Sequence, residues 1–232
     1  MRILLTNDDG IDAIGLEKLA KIAKQLSDEV YIVAPEGQRS AISHAISIRQ
    51  PLKVKKVQYQ VSEITAYSCS GTPADCVKVA INAVLDKKPD LVISGINKGY
   101  NMGFDTVYSG TVAAARDAVY QGVKAIAIST WEDNFEIIDK ELKNILDQVL
   151  LREISENEFW NINFPNCSLN EYKGVKETRP AAFSYYLDTY KENRISENEW
   201  GYTLGDEKCD NQDIESDFYA VEQGYASIEK MK

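Results

Sequence analysis

The chain opens with MRILLTNDDG, residues 1–10, and this stretch decides the fold class. The apolar run at residues 3–5 is too short for a helix and fits a buried central strand. Asp8 and Asp9 follow at the carboxyl end of that strand, with Gly10 behind them. Two adjacent carboxylates repel each other, and partial burial strengthens the repulsion, so the pair requires protons, several hydrogen-bond donors or a cation. We therefore expect a cation at the end of the first strand.

Strand and helix patterns alternate outward from this stretch through residues 1–165. Periodic apolar positions predict helices, and the short apolar runs between them predict strands. The predicted helices cover residues 15–26, 74–85, 111–121 and 135–151, and the predicted strands cover residues 2–7, 30–34, 91–94, 125–129 and 160–164. This alternation is typical of the α/β class, and it predicts a Rossmann-like, mostly parallel sheet with helices on both faces.

Two stretches break the alternation. Residues 46–67 read as extended and predict an inserted hairpin, and residues 166–232 predict a β-rich C-terminal extension that makes oligomer contacts. We therefore divide the chain into a catalytic domain, 1–165, and this extension. Charge is also uneven: the first 130 residues hold 15 Lys+Arg against 13 Asp+Glu, whereas the remainder holds 11 against 23. Nine of the 13 glycines lie in the near-neutral part, and we interpret this part as the one that contains the functional site.

Composition excludes several classes of function. A net charge of −10 without a basic stripe argues against duplex nucleic acid as a partner. No apolar run approaches the roughly 18 residues of a membrane span and no signal peptide is evident, so we expect a cytoplasmic protein with no membrane contact. The four cysteines, Cys69, Cys76, Cys167 and Cys209, form no CxxC pair, and His44 is the single histidine. A zinc site or a disulfide framework is therefore not expected.

The candidate metal ligands follow three predicted strands. In a doubly wound sheet, ligands bind outside the carboxyl ends of the strands. Besides Asp8 and Asp9, the loops that follow the second strand and the strand at 91–94 contain Ser40 and Asn97. Such oxygen ligands suit Mg²⁺ or Mn²⁺ better than zinc. A turn with helix capping would explain one aspartate but not both, whereas Ser40 and Asn97 taken singly are explained equally well by loop hydrogen bonds.

The tripeptide Ser-Gly-Thr occurs twice, at residues 70–72 and 109–111, and each copy leads into a predicted helix. Such a step exposes hydroxyls and backbone N–H groups at a helix N-terminus, where phosphate binds readily. The second copy adjoins a glycine-rich loop at a strand end, which favours an anion site, whereas Thr72 is expected to cap its helix. A lone loop histidine is more often structural than catalytic, so the role of His44 stays open.

Taken together, the motifs resemble the SurE family, the metal-dependent survival-protein nucleotidases. The matching segments are NDDG at 7–10, APEGQRSA at 34–41, SGTPADCV at 70–77, SGINKGYN at 94–101, YSGTVAAARDA at 108–118 and DFYAVEQGYASI at 217–228. The resemblance implies hydrolysis of nucleoside 5′- and 3′-monophosphates, and in some members of short polyphosphate, by homodimers or homotetramers. The chain departs from the family pattern at Ala41, where glycine is frequent, and at Glu229, where threonine is usual.

The resemblance also implies residue roles. The metal ligands, for one divalent cation per subunit, fall on Asp8, Asp9, Ser40 and Asn97. The phosphate-contacting residues fall on Asn101, Ser109 and Thr111, with Gly110 opening the helix. Our hypothesis is metal-assisted hydrolysis, in which a water activated by the cation attacks the phosphate and Asp8 either only holds the metal or also handles the water's proton.

Two rival functions were weighed. A phosphoacceptor module of the receiver type also carries paired acids after its first strand, but it requires an acceptor aspartate at the end of a later central strand. The strand at 91–94 ends in SGIN instead, which counts against that class. A non-catalytic nucleotide sensor is compatible with the same residues. Steady release of phosphate from AMP or GMP, abolished by a chelator, would separate the enzyme from both.

Overall fold

The computed structural model describes residues 1–132, 134–184, 189–205 and 213–232. The strands are β1 Arg2–Thr6, β2 Glu29–Pro35, β3 Val54–Val57, β4 Thr65–Cys69, β5 Leu91–Lys98, β6 Lys124–Thr130, β7 Phe159–Asn163, β8 Val175–Glu177, β9 Tyr190–Ser196, β10 Glu199–Leu204 and β11 Ala226–Met231. The α-helices are α1 Ile14–Leu26, α2 Pro73–Val79, α3 Gly110–Tyr120, α4 Glu136–Leu150 and α5 Asp217–Glu222. Strands and helices alternate through most of the chain, as the apolar patterns predict.

Nine strands form one sheet in the order β3-β4-β2-β1-β5-β6-β7-β11-β8. The strands from β4 to β7 are parallel, whereas β3 and β11 run antiparallel to their neighbours β4 and β7. The chain builds outward from β1 through β2 to β4 and then returns to place β5 on the other side of β1. This reversal makes the carboxyl ends of β1 and β5 the topological switch point, which is where such sheets bind ligands.

Helices cover both faces of the sheet. Apolar residues of α1 and α4 pack on one face, and those of α2 and α3 pack on the other. β1 is buried along its whole length, which explains its nearly continuous apolar sequence. The predicted fold class, a mostly parallel Rossmann-like α/β sheet with additional C-terminal strands, is confirmed.

Two predicted elements have different bounds in the structure. The helix predicted at 74–85 is α-helical only as α2, and a π-helical turn, Ala80–Val84, completes it. Apolar periodicity does not distinguish these two kinds of turn. The strand predicted at 91–94 continues as β5 to Lys98, because pairing with β6 resumes beyond Ser94 after an irregularity. The glycine and asparagine of SGIN favour a loop in the sequence, but the neighbouring strand supplies the pairing.

The stretch predicted as an inserted hairpin lies in the main sheet. β3 and β4 do pair antiparallel, as a hairpin requires, but β4 also pairs parallel with β2. The hairpin therefore forms one edge of the sheet, and it is not an insertion outside it. A short edge pair cannot be distinguished from an insertion by its sequence, because pairing with β2 is a long-range contact.

The segment after residue 165 contributes to both the main sheet and a separate hairpin. β11 pairs with β7, and β8 pairs with β11, so these two strands continue the main sheet. β9 and β10 form an antiparallel pair of their own, and nearly all their side chains are exposed. The predicted boundary at 165 and 166 thus follows β7 but does not mark the edge of the sheet. The division of labour between the two parts stays a prediction.

The cysteines that the structure describes are free. Cys69 and Cys76 are buried and Cys167 is partly buried, whereas Cys209 lies outside the described residues. Within the described ranges, no helix combines the length and the apolar character needed to cross a membrane.

Candidate functional site

The turn after β1 is closed by Asn7 and not by either aspartate. Asn7 Nδ2 donates to the carbonyl oxygen of Gly10 at 2.9 Å, and Gly10 N donates to Asn7 Oδ1 at 3.2 Å. The N-cap residue of α1 is Ala13, which makes no side-chain capping bond. Neither Asp8 nor Asp9 therefore caps the helix, and the capping alternative weighed from the sequence is wrong. Neither carboxylate is used to close this turn or to cap α1.

Three segments converge on this acidic pair. Arg39 N donates to the carbonyl oxygen of Asp8 at 2.7 Å and holds the loop after β2 in place. Lys98 N donates to Asp9 Oδ2 at 3.1 Å and joins the end of β5 to the pair. Thr111 Oγ1 donates to Asp8 Oδ1 at 2.6 Å, which joins the start of α3. The paired acids are thus the meeting point of β1, β5, the loop after β2 and α3.

Ser40 and Asn97 lie beside residues that touch the acidic pair. Ser40 is exposed, and its Oγ accepts a hydrogen bond from Gln38 Nε2 at 2.9 Å. Asn97 Nδ2 donates to the carbonyl oxygen of Gly99 at 2.8 Å, which leaves its oxygen as the possible ligand atom. The fold therefore brings all four predicted metal ligands to one region. Their role as ligands stays a prediction.

The electrostatics of the pair favour a positive partner. Asp8 is buried, and this burial raises the pKa of its carboxyl to about 6, with the charge of Asp9 adding to the effect and the Thr111 hydrogen bond opposing it. Two carboxylates, a hydroxyl and an amide are the hard oxygen donors that Mg²⁺ and Mn²⁺ prefer. The described residues contain no group of three or more His, Cys, Asp or Glu suited to a metal, and this is consistent with a mixed donor set. The residues present fit a hard divalent cation.

The two Ser-Gly-Thr steps are used differently. In the first, Thr72 is the N-cap of α2 and forms a reciprocal capping box with Asp75, as predicted. In the second, Ser109 is the N-cap, and its Oγ accepts a hydrogen bond from Val112 N at 3.1 Å. Because Ser109 caps α3, the hydroxyl of Thr111 is not used for capping and donates to Asp8 instead. The second step is thus joined to the acidic pair.

Gly110 is packed against the acidic pair. A Cβ atom at this position would lie 3.0 Å from the Asp8 Cβ, 3.0 Å from an Ile42 methyl group and 3.1 Å from Pro73. The absence of a side chain allows the N-terminus of α3 to approach the carboxylates closely. A helix N-terminus bears partial positive charge and free N–H groups, which suit an anion bound between it and the pair.

Asn101 lies at the ends of β6 and β7, and its contacts are with those strands. Its Nδ2 donates to Ser129 Oγ at 2.8 Å, and its backbone N donates to Asn163 Oδ1 at 2.9 Å. Its carbonyl oxygen accepts from Asn161 Nδ2 at 2.8 Å and from Asn163 Nδ2 at 3.0 Å. The sequence reasoning missed these supporting asparagines. Their signal was present in Asn161-Ile162-Asn163, where a buried strand carries polar residues at alternate positions.

His44 lies in the loop after β2, and its side chain contacts α3. Its Nε2 is 3.4 Å from Asp117 Oδ1, and its ring stacks on Tyr120 with centroids 6.1 Å apart. Neighbouring Ser43 ties the same loop to the segment before α3, because its Oγ donates to the carbonyl oxygen of Val107 at 2.7 Å. These contacts give His44 a part in docking the loop.

A cavity of about 370 Å³ opens beside Asp9. Gln38 and Lys98 line it with polar groups, and Ile96 and Phe135 line it with apolar ones. A larger cavity, of about 470 Å³, lies at the opposite end of the sheet near the start of β6. It contains none of the predicted site residues, so size alone does not mark the functional site.

The fold and this cluster define a Rossmann-like α/β protein with an acidic, oxygen-rich site at its switch point, opposite a helix N-terminus. The family described as "Survival protein SurE" matches residues 3–186. The chain therefore belongs to the SurE family, as the resemblance of its motifs predicted.

Relatives and a solved structure agree with this assignment. A "5'-nucleotidase SurE" of Thermoanaerobacter sp. (strain X514) is 42% identical over 232 residues, which cover 98% of this chain and 90% of the relative. A "5'-nucleotidase SurE" of Flavobacterium johnsoniae is 39% identical, with 97% of this chain and 88% of the relative covered. The crystal structure of the SurE protein from Aquifex aeolicus superposes with a TM-score of 0.86 at 34% identity, covering 100% of this chain and 93% of that one.

Proposed function

We propose that this chain hydrolyses phosphomonoesters, chiefly nucleoside 5′-monophosphates, at the cluster around Asp8 and Asp9. Family membership and relatives named 5'-nucleotidase SurE support a phosphoric monoester hydrolase of the 5′-nucleotidase class. The observation that carries the proposal is the 2.6 Å hydrogen bond from Thr111 Oγ1 to Asp8 Oδ1. This bond joins an acidic pair that favours a cation to a helix N-terminus that favours a phosphate group.

One divalent cation per subunit, Mg²⁺ or Mn²⁺, would be held by Asp8, Asp9, Ser40 and Asn97. When bound there, it supplies Lewis-acid stabilisation of charge that develops on the phosphoryl group. Asp8 and Asp9 provide the negative charge that attracts it, and the amide oxygen of Asn97 and the hydroxyl of Ser40 provide neutral donors. The repulsion between the buried carboxylate of Asp8 and the half-buried one of Asp9 supports this assignment.

The phosphate would lie between the acidic pair and α3. Ser109 and Thr111 contribute hydroxyls, and the N–H groups that follow Gly110 contribute donors that need no movement to meet an oxyanion. Asn101 would bind a further phosphate oxygen with its amide. Catalysis then rests on positioning and on electrostatic stabilisation, because the described site offers no cysteine or histidine beside it for a covalent route.

We assign the proton of the attacking water to Asp8, in addition to its proposed role as a metal ligand. Its Oδ1 accepts from Thr111, which fixes the orientation of the carboxyl. Attack forms a bond from the water oxygen to phosphorus and breaks the bond from phosphorus to the ester oxygen, and the nucleoside oxygen leaves as a hydroxyl with a proton from solvent. Asp8 can orient the water and accept its proton, which is general-base assistance.

We extend the substrate range to nucleoside 3′-monophosphates and short polyphosphate. The groups proposed here recognise a terminal phosphoryl group, and this group is common to all three substrates. The contacts so far assigned include none with a base or a ribose. Discrimination among the substrates would therefore arise outside the phosphate site.

We also propose a homodimer or homotetramer that assembles through the C-terminal extension. The β9–β10 hairpin exposes Ile195, Trp200, Tyr202 and Leu204 outside the main sheet. Exposed apolar side chains grouped on one hairpin are typical of an interaction surface. The free thiols of Cys69, Cys76 and Cys167 support a reducing compartment, so we place the protein in the cytoplasm.

The first test is a phosphate-release panel. Nucleoside 5′- and 3′-monophosphates and a short polyphosphate are each incubated with Mg²⁺, with Mn²⁺ and with a chelator, and inorganic phosphate is measured. We expect multiple turnovers with 5′-monophosphates that need one of the two metals and stop with the chelator. Stoichiometric binding without phosphate release would favour a nucleotide sensor instead.

A second test replaces Ser109 by alanine. Loss of its hydroxyl should weaken the affinity for vanadate about tenfold, since one oxyanion donor is removed, and should also lower stability by about 1 kcal/mol through loss of the cap. Vanadate inhibition and thermal unfolding measure the two effects. Thr72→Ala is the matched control because it removes the cap of α2 alone. Equal vanadate affinities in the wild type and in both variants would show that Ser109 caps α3 but does not bind the anion.

A further inference from the structure

Two carboxyl groups are buried side by side away from the acidic pair of the active site. Glu229 lies on β11 and Asp217 is the first residue of α5, which packs on that strand. Both side chains are fully excluded from solvent. Glu229 is also one of the positions at which the chain departs from the family pattern. An acid pair at this depth requires a compensating charge or a proton.

Asp217 is well supplied with hydrogen-bond donors. Its Oδ2 accepts from Gly103 N at 2.8 Å, and its Oδ1 accepts from Ala181 N at 2.9 Å and from Phe218 N at 2.7 Å. Three backbone N–H groups stabilise a carboxylate and oppose the desolvation that comes with burial. Asp217 is therefore the member of the pair that carries the negative charge.

Glu229 is supplied with a donor on one oxygen only. Its Oε1 accepts from Asn161 Nδ2 at 2.7 Å. Its Oε2 is buried and has no donor among the described residues, while the Asp217 carboxyl is a direct neighbour of the Glu229 carboxyl. Two carboxylate oxygens repel each other at such a contact, whereas one shared proton turns the contact into a hydrogen bond. The geometry therefore places that proton on Glu229, directed to Asp217.

Among the described residues, the basic groups on this face of the sheet are engaged elsewhere. Lys176 of β8 donates to the carbonyl oxygen of Ile214 at 2.6 Å and lies over the ring of Tyr219. Arg116 of α3 donates from Nε to the carbonyl oxygen of Lys232 at 2.9 Å. β7 contributes only neutral asparagines to this face. A proton is thus the remaining means of compensating the pair.

The two acids hold the loop that carries Asn101 in place at two points. Asp217 binds the backbone N–H of Gly103 directly. Glu229 orients the amide of Asn161, whose Nδ2 also donates to the carbonyl oxygen of Asn101. The two acids therefore fix the backbone on both sides of Met102, which is itself buried.

We propose that Asp217 and Glu229 form a dyad that shares one proton, and that this dyad is a positioning device which holds Asn101 ready for phosphate. The positioning part rests on the proposed function through the role of Asn101, whereas the shared proton does not depend on it. Removal of the proton leaves two adjacent carboxylates, and their negative charges repel each other. The loop at 101–103 is then released, and affinity for the phosphate ester falls.

The dyad predicts a defined pH dependence. Burial, together with the charge of the adjacent Asp217, raises the pKa of Glu229 from 4.5 to about 8. The folded protein therefore binds this proton more tightly than the unfolded chain does. The stability that it contributes is complete below about pH 4.5 and is lost as the pH rises through about 8.

The test compares the wild type with Glu229→Gln from pH 6 to 10. The glutamine amide accepts from Asn161 and donates to Asp217 at every pH, and thus it reproduces the protonated dyad. We expect equal KM values for AMP at pH 7, and a wild-type KM about tenfold higher than that of the variant at pH 9, because only about one tenth of the wild type then retains the proton. The wild-type Tm should fall relative to that of E229Q over the same range.

Glu177→Gln is the matched control, since it removes an exposed carboxylate from the neighbouring strand β8 and should follow the wild type in KM and Tm. A KM ratio of wild type to E229Q that stays at one up to pH 10 would overturn the positioning role. Parallel Tm profiles of these two proteins would overturn the shared proton.

Infrared spectroscopy tests the proton without a variant and without turnover. The wild type should show the C=O stretch of a buried carboxylic acid at pH 7 that disappears by pH 10. Absence of that band at pH 7 contradicts the dyad, even if E229Q fails to fold. If the wild type releases no phosphate from AMP, the proposed function fails, while the band and the Tm profiles still decide whether the dyad exists.

Discussion

Asp8→Asn is expected to lower kcat for phosphate release from AMP by about three orders of magnitude while the protein stays folded. The change removes one of the two charges proposed to attract the cation and the group proposed to accept the proton of the water. The Oδ1 of the asparagine can still accept the hydrogen bond that Thr111 makes at 2.6 Å. Steady-state kinetics at saturating Mg²⁺ or Mn²⁺ measure the loss, and circular dichroism checks the fold.

Asp12→Asn is the control for this experiment. Asp12 is exposed in the same turn region, four residues further along the chain, so its replacement removes an equal charge from the surface. We expect wild-type kcat and a stability change within about 0.5 kcal/mol. Near-normal turnover by the Asp8 variant with saturating metal would remove Asp8 from the catalytic mechanism. A loss in both variants would point to the overall field of the protein.

Gly15→Ala should be the most destabilising of the single changes considered, by about 3 kcal/mol. A Cβ at Gly15 would lie 2.1 Å from the carbonyl oxygen of Ile96, and a backbone oxygen cannot move aside as a side chain can. In a helix, alanine is ordinarily preferred to glycine, so the expected sign is opposite to that of intrinsic propensity. Thermal unfolding should show a fall in Tm of about 8 °C.

This change should also lower activity, because Ile96 precedes Asn97 in β5 and any displacement of α1 reaches that predicted ligand. Gly37→Ala is the matched control. A Cβ at Gly37 meets no atom within 4 Å, and a Tm close to that of the wild type is expected. If Gly15→Ala left the Tm unchanged, the close packing of α1 on β5 would not be needed for stability.

The parts of the site that depend on local pattern were predictable. A buried strand followed by Asp8 and Asp9, and polar loops after two later strands, indicated where ligands gather, because parallel strands end at one edge of the sheet. The use of Thr111 was not predictable. Ser-Gly-Thr caps a helix through Thr72 in one copy and through Ser109 in the other, and the tertiary contact with Asp8 decides between them.

The residues that hold Asn101 in place could not be predicted from the sequence. Asn161 and Asn163 come from β7, and Glu229 and Asp217 come from the C-terminal segment, far from Asn101 along the chain. Apolar periodicity predicts that β7 is a strand but not which strand lies beside it. Polar residues at alternate positions of a buried strand indicate a hydrogen-bond network, but they do not identify the other residues that take part in it.

The amino-acid sequence by itself determined the α/β class, the alternation of strands and helices and the chemical type of the site, because these follow from apolar periodicity and from side-chain chemistry over short spans. Only the tertiary structure decided that β5 continues to Lys98, that Asn7 closes the turn after β1 without either aspartate, and that β11 returns to the main sheet. These outcomes depend on hydrogen bonds and packing between distant segments, and these form only when the sheet is assembled.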